Sequence, residues 1–331
     1  KILIRPEKIE RFLRHHRWDD AKTEKINSDA SNRKYTRLFK KQNTSILMDS
    51  DPTTNESIEN FIYFTNQLRK QKFSAPKIYG QDICNGLLLL EDLGSDSFAN
   101  ILKSKPHLEN HIYQEAINQL IEIRKNKIPH LTRKYDLKIL LQEAVLFSEW
   151  YLSPLRASYE SSHLLKILRV SLQETLKQDT TLVLRDYHAE NLMWLPDRRN
   201  NRRVGLLDYQ DALAGNPAYD IASLLKDARR EVPKKLQEEL IKYFLKKTNL
   251  DHAVFSRDYS ILSAQRNLKI IGIFSRLSIR DNKSGYLDLI PRVWKNLQDD
   301  LKHPSLNELS EFIKSNSPQP TLENLGKLFK A

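Results

Sequence analysis

Cysteine is almost absent. Cys84 is the single one in 331 residues, so no internal disulfide framework exists and a reducing compartment, the cytoplasm, is expected. No Cys/His cluster has the spacing of a zinc site, and the adjacent pair His15-His16 reads as solvated or packed. Glycine is scarce, at 8 residues, and no Ser/Gly-rich linker or internal repeat divides the chain. No apolar run approaches the roughly 18 residues of a membrane span, and no signal peptide precedes the first helix pattern. The chain opens on Lys1 rather than methionine. A long basic block is missing too, although the net charge is +12. The positive residues are spread from Arg11 to Lys327 without an interleaved aromatic ladder, so no nucleic-acid partner is expected, and a generally basic cytoplasmic proteome together with attraction of an anionic small molecule accounts for the charge.

What is present is a globular composition, 40% hydrophobic, with length enough for one large domain or two lobes. Ile9, Phe12 and Leu13 recur at helical spacing within Pro6–Arg17. Short strands are expected near Lys25–Ile26, Tyr35–Phe39 and Ser45–Met48, then a helix over Ile58–Leu68. The polar turn Asn27–Lys34 between the first two strands is either an ordinary hairpin or a loop whose backbone and hydroxyls meet phosphates. Leu87–Leu90 is a buried strand that ends in Glu91-Asp92-Leu93-Gly94. Beyond Gly94 the pattern is helical: His111–Arg124, Leu137–Tyr151, Ser162–Lys177, Ala222–Val232, Lys234–Lys246, Arg257–Ile279 and Leu289–Leu301.

The helices are interrupted once, over Thr181–Tyr219. Two apolar strands, Leu182–Leu184 and Val204–Leu207, each lead into polar residues. The first delivers Arg185-Asp186-Tyr187-His188-Ala189-Glu190-Asn191, the second Asp208-Tyr209-Gln210-Asp211. An aspartate, an asparagine five residues on, and an aspartate ending a second strand suit phosphoryl transfer from ATP. One carboxylate orients or deprotonates the attacking hydroxyl; the amide and the second carboxylate offer oxygen to Mg2+. Asp186 is therefore the expected base, and Asn191 and Asp208 the expected metal ligands.

These residues resemble the aminoglycoside phosphotransferase and choline kinase-like superfamily, whose signature is His-Gly-Asp-x-x-x-x-Asn followed by a strand ending in Asp. Segments along both halves are similar more closely to the bacterial anomeric kinases of N-acetylmuramate and N-acetylglucosamine: Ser28–Tyr35, Ile46–Asp49, Leu88–Gly94, Arg185–Pro196, Leu206–Ala212, Pro217–Asp220 and Ala264–Phe274. The resemblance implies an α+β, bilobal, protein-kinase-like fold, with a small mixed β-sheet N-lobe (residues 1–93) and a mostly helical C-lobe (94–331). It implies ATP and Mg2+ as cofactors, a small amino sugar as partner, no membrane, and a role in cell-wall sugar recycling. Ser31, Asn32, Arg33, Glu91 and Leu93 become the nucleotide-binding set, with the last two offering backbone groups to adenine. Tyr187, His188, Asp211 and Arg266 become the acceptor-binding set, and Asp220 a brace behind the catalytic loop.

Two of the departures from the superfamily bear on how the chemistry is supported. Met48 stands where the third strand usually carries a phosphate-binding lysine, so Arg33, Lys34 or Arg37 must help meet the phosphates. Leu184 stands where the motif usually opens on a histidine. Several roles stay open on sequence grounds. Asp211 fits a metal shell, an acceptor contact or a helix cap; His188 fits acceptor contact or loop bracing. Arg185 and Arg266 fit either an acceptor carboxylate or structural ion pairs. The aromatics Phe147, Trp150 and Tyr151 fit sugar stacking or core packing. The alternatives for the whole chain are a kinase of another sugar, an aminoglycoside or an amino alcohol, and a non-catalytic nucleotide-binding partner protein.

Overall fold

The computed structural model describes residues 4–26, 33–54, 57–157 and 161–330. In chain order the elements are α1 (Arg5–His15), β1 (Lys22–Ile26), β2 (Lys34–Lys40), β3 (Asn43–Asp49), α2 (Glu59–Lys70), β4 (Ile78–Asp82), β5 (Leu87–Glu91), α3 (Phe98–Ser104), α4 (Glu109–Lys125), α5 (Leu137–Phe147), α6 (Ser161–Thr175), β6 (Thr181–Val183), β7 (Leu192–Trp194), β8 (Val204–Leu206), β9 (Leu213–Gly215), α7 (Ala218–Leu225), α8 (Lys234–Thr248), α9 (His252–Asp281), α10 (Ile290–Asp300), α11 (Asn307–Asn316) and α12 (Leu322–Lys330). They form two compact units: Lys1–Ser104 with Glu190–Asp211, and Lys105–Ala189 with Ala212–Ala331. The fold is mixed α+β and protein-kinase-like, as the resemblance implied. Among the described residues no helix is long and apolar enough to cross a membrane.

The first unit is built on an antiparallel sheet in the order β1-β2-β3-β5-β4. Side chains alternate across a sheet, so Leu47, Leu87 and Leu89 share one face, where Phe12 of α1 and Leu38 complete a buried cluster. Met48, Leu88 and Leu90 point the other way and are also buried. That double burial is why β5 reads as an unbroken apolar run. The hairpin of β7 and β8 belongs to this unit, pairing Leu192 with Leu206 and Trp194 with Val204.

The second unit is helical, organised around α9, which packs against α5, α7 and α10. Asp251 caps α9 by accepting the Val254 N–H at 2.8 Å, and Asn282 ends it in the left-handed conformation, φ 54°. Gly272 lets α9 lie directly on α5, because a methyl there would run into the backbone of Leu146 and Phe147. One buried polar cluster is closed on itself: Lys226 pairs with Asp300, whose carboxylate also accepts Ser263 at 2.7 Å and Asn267 at 2.9 Å.

The two strands of the central motif lie in two different small sheets. β6 pairs with β9, and β8 with β7. The partners are three-residue strands, too short to show a period in the sequence. Phe147 and Tyr151 stack on one another in the core with ring centroids 5.3 Å apart, and the Tyr151 hydroxyl donates to the Pro318 carbonyl. They are packing residues, not a sugar platform.

Gly272→Ala should therefore force α5 and α9 apart and cost about 1–3 kcal/mol, as overpacking in a closed core does. Urea denaturation reads this directly; unchanged stability would show that the two helices separate freely.

Candidate active site

In the second unit, β6 ends and the chain turns sharply. Asp220, two residues into α7, accepts the Leu184 N–H at 2.7 Å and the Arg185 N–H at 2.9 Å. Arg185 is held at φ 71°, where a side chain costs about 1–2 kcal/mol. Ser223 donates to its carbonyl at 3.1 Å, so the strained residue is fixed from both ends. Asp220 is the brace that the sequence implied. Burial pushes its carboxyl up to about 7, against the two N–H bonds that favour its anion; the nearby Asp186 charge adds to the rise.

The turn presents Asp186, half-buried. Burial alone would raise its carboxyl, but Lys269, His188, Arg266 and Arg185 overcome that and hold it below the usual value. Two of those cations share one carboxylate. Glu143 of α5 pairs with Arg185 and, at 3.0 Å, with Lys269. It also accepts the Tyr135 hydroxyl and, at 3.2 Å, the Gln265 amide. His188 is buried, and burial depresses its pKa despite the opposing pull of Asp227 and Asp186. Asp227 accepts the next N–H, that of Ala189, at 3.2 Å. Asp186, His188 and Arg266 thus share one neighbourhood. Tyr187 leaves it: its hydroxyl bonds Ala116 O and Gln119, both at 2.9 Å, so it anchors the loop on α4 and not an acceptor.

In the first unit, Asn191 and Asp208 flank β7 and β8. The Leu207 N–H donates to the Asn191 carbonyl at 3.0 Å, tying the two loop ends together. Asp208 is exposed, has φ 56°, and takes a 2.7 Å bond from the Gln210 amide. Gln210 lies 3.5 Å from the exposed Asp211 as well. Tyr209 is buried, with its hydroxyl 2.6 Å from Thr65 and its ring stacked on Phe61, so it anchors this loop. A carboxylate and a carboxamide on adjacent loop ends are hard oxygen donors and fit Mg2+ shared with phosphates. No group of three or more His, Cys, Asp or Glu suited to a metal occurs among the described residues.

The nucleotide-binding set falls in the first unit too. Ser31 and Asn32 lie outside the described residues. Arg33 is half-buried and hydrogen-bonds Tyr35, whose hydroxyl lies within the field of Asp208. Arg37 is committed elsewhere: it bonds both Asp92 oxygens at 2.8 and 3.1 Å, the Gly94 carbonyl at 2.8 Å and Ser95 at 3.0 Å. Glu91 takes Arg198 at 2.6 Å and the Lys77 N–H at 3.0 Å, and its own N–H goes to Lys77 O at 2.8 Å. Leu93 is buried, beside Gly205.

The sequence pattern of the phosphotransferase enzyme family matches residues 22–255. The chain belongs to that family. Among the relatives of this phosphotransferase are N-acetylmuramate/N-acetylglucosamine kinases. That of Caulobacter vibrioides is 32% identical over 94% of this chain and 96% of its own. That of Pseudomonas aeruginosa is 32% identical over 87% and 86%. Its fold is also that of a choline/ethanolamine kinase family protein from Mesorhizobium loti (TM-score 0.63, 10% identity, 99% and 100% covered). The choline kinase LicA of Streptococcus pneumoniae is a second such structure (TM-score 0.63, 15% identity, 89% and 99% covered).

Glu143 and Lys269 stand out among the site's charged residues that the motif did not reveal. The one available signal was a charge on otherwise apolar helical faces, which solvated or paired residues share. Asp220→Ala should leave two buried N–H groups unpaired, cost about 1–3 kcal/mol for each, and reduce turnover as Arg185 relaxes. The carboxyl's folded pKa lies above the ordinary value of about 3.9, so the folded chain holds a proton that the unfolded chain releases. Wild-type stability relative to Asp220→Asn should therefore fall as pH rises from about 4 to about 7. Denaturation across that range checks the slope; a rising slope would contradict it.

Proposed function

We propose that this phosphotransferase uses ATP and Mg2+ to phosphorylate the anomeric C1 hydroxyl of N-acetylmuramate and N-acetylglucosamine, in the recycling of cell-wall sugars in the cytoplasm. The observation that carries the reading is the charge around Asp186. Lys269, Arg266 and Arg185 stand there against Glu143, while burial pushes Asp220 toward its neutral form. Three cations set among Asp186, Glu143 and Asp227 leave no surplus of carboxylates for a polycationic aminoglycoside or a quaternary amine, and this balance suits a neutral or anionic sugar better. The relatives' names point the same way.

In this reading Asp186 orients the C1 hydroxyl and takes its proton as the new C1 O–P bond forms. The bond from the γ-phosphorus to the ADP oxygen breaks in line, and no phosphoenzyme forms. Asn191 and Asp208 would hold the magnesium, which when bound neutralises charge on the phosphates. Arg33 meets the phosphates where Met48 offers no charge, and backbone groups at Leu93 face the adenine. His188 and Asp211 lie toward the acceptor. A C1 hydroxyl is more acidic than an ordinary alcohol, so a weakly basic carboxylate suffices and positioning does most of the work.

Offered ATP and Mg2+, the protein should convert both N-acetyl sugars to 1-phosphates, read by phosphorus NMR, and leave aminoglycosides and choline untouched. Turnover of neither N-acetyl sugar sinks the proposal. Asp186→Asn should lower turnover by roughly 10²–10⁴-fold while retaining ATP binding. An active Asn variant would show that the proton goes elsewhere.

A further inference from the structure

Three cations surround Asp186, and two of them already have a carboxylate. Arg185 and Lys269 both pair with Glu143, which Tyr135 and Gln265 hold in place from α9 and the segment before α5. Arg266 differs. It sits on the same face of α9 as Lys269, one turn earlier, and is only 5% exposed. Its Nη1 is buried with no hydrogen-bond partner among the described residues. A guanidinium carries five donors that water satisfies at the surface, and burying one of them unpaired is costly, more so for a charged group. A position on a core helix that retains such a group calls for a ligand to complete it. Arg266 lies one turn from Lys269, which shares Glu143 with Arg185 beside Asp186, and it acts through space on Asp186 and His188 as well as on Asp220 and Tyr219, so a missing partner would lie next to the catalytic turn.

We infer that Arg266 is a specificity-determining residue that receives the carboxylate of an anionic acceptor, and so distinguishes N-acetylmuramate from N-acetylglucosamine. This rests on the sugar-kinase reading above and adds to it. The two sugars differ by one group, a lactyl ether on C3 of the ring, which ends in a carboxylate. C3 lies across part of the same pyranose ring from the C1 hydroxyl that Asp186 would orient. A guanidinium within the field of Asp186, yet without an ion-pair partner of its own, is suited to meet that carboxylate with paired N–H donors. Glu143 sharpens the choice, because it engages both neighbouring cations and leaves Arg266 as the donor still to be matched. Of the two arginines that the sequence left open, Arg185 is the structural ion pair and Arg266 the reader of the acceptor.

The test measures dissociation constants by calorimetry, so it reads the acceptor subsite whether or not phosphoryl transfer follows. Wild type and Arg266→Met are titrated with N-acetylmuramate, its neutral carboxamide and N-acetylglucosamine. Wild type should bind the acid about 10- to 100-fold more tightly than the carboxamide, the worth of one charge-assisted hydrogen bond. Arg266→Met should lose that preference and shift the ratio of N-acetylmuramate to N-acetylglucosamine affinity by the same factor. An unchanged ratio in the variant overturns the inference. Should the variant fail to fold, wild type alone decides: equal binding of acid and carboxamide overturns it. Failure to phosphorylate either sugar counts against the function instead, and these binding ratios are read independently of it.

Discussion

The carboxylate of Asp220 is the constraint on which the acceptor side of the site depends. A turn with a non-glycine residue at φ 71° does not persist unless its surroundings over-determine it. Here the two N–H groups at the start of the turn end on one carboxylate of α7, and the Arg185 carbonyl accepts Ser223 from the same helix. The strain is offset by satisfied buried groups, and its product is an Asp186 that faces its cations instead of the core. Leu184 occupies the place of the superfamily's histidine as a buried apolar residue. The bracing is therefore done by Asp220 from behind and by Tyr187 from below, through its hydroxyl on α4.

The first unit solves a different problem, the missing lysine. Met48 sits at the centre of the sheet, opposite Tyr35 on one side and Leu88 on the other, and is fully buried. A cation there would need a partner or would lose its charge. Arg37, Arg69 and Arg198 of this unit stand elsewhere and are tied to carboxylates. Arg37 closes the segment after β5 by binding Asp92 and Gly94, which fixes the path of the chain past Leu93. Arg198 and Arg69 gather on Glu91. Those contacts make Arg37 and the Glu91 side chain parts of the scaffold. Arg33 is left as the arginine of the β2 end closest in charge coupling to the Asp208 loop, through Tyr35.

Much of this was legible in the chain. The sheet strands and long helices follow from period, and the Asp186, Asn191 and Asp208 spacing points to phosphoryl chemistry without any structure. The parts that were not legible share a physical cause. Three-residue strands such as β7 and β9 are held by partners distant in sequence, not by a pattern of their own. Tyr187 and Tyr209 sit inside polar motifs, and a tyrosine that faces a ligand is spelled the same as one that anchors a loop; Gln119 and Thr65 decide which. Glu143 lies more than forty residues before the motif, on a helix whose pattern is otherwise ordinary. Its importance lies in the donors that converge on it, and convergence is a property of the fold alone.

The cations around Asp186 link selectivity to chemistry. Holding the carboxyl below its usual range keeps it ionised, but also makes it a weaker base. That trade would be poor for an ordinary alcohol. For an anomeric hydroxyl it is acceptable, because the acceptor gives up its proton more readily and the loose transfer of a phosphoryl group asks little of a base. On the proposed reading the same cations also disfavour positively charged acceptors, so one arrangement would set both the ionisation of Asp186 and the sign of what it serves. A relative built for a cationic acceptor would need the opposite: carboxylates in place of Lys269 and Arg266. With like charges around it, its own catalytic aspartate would then be pushed up instead of down. On the proposed reading, the charge around Asp186 is what matches the site to its acceptor.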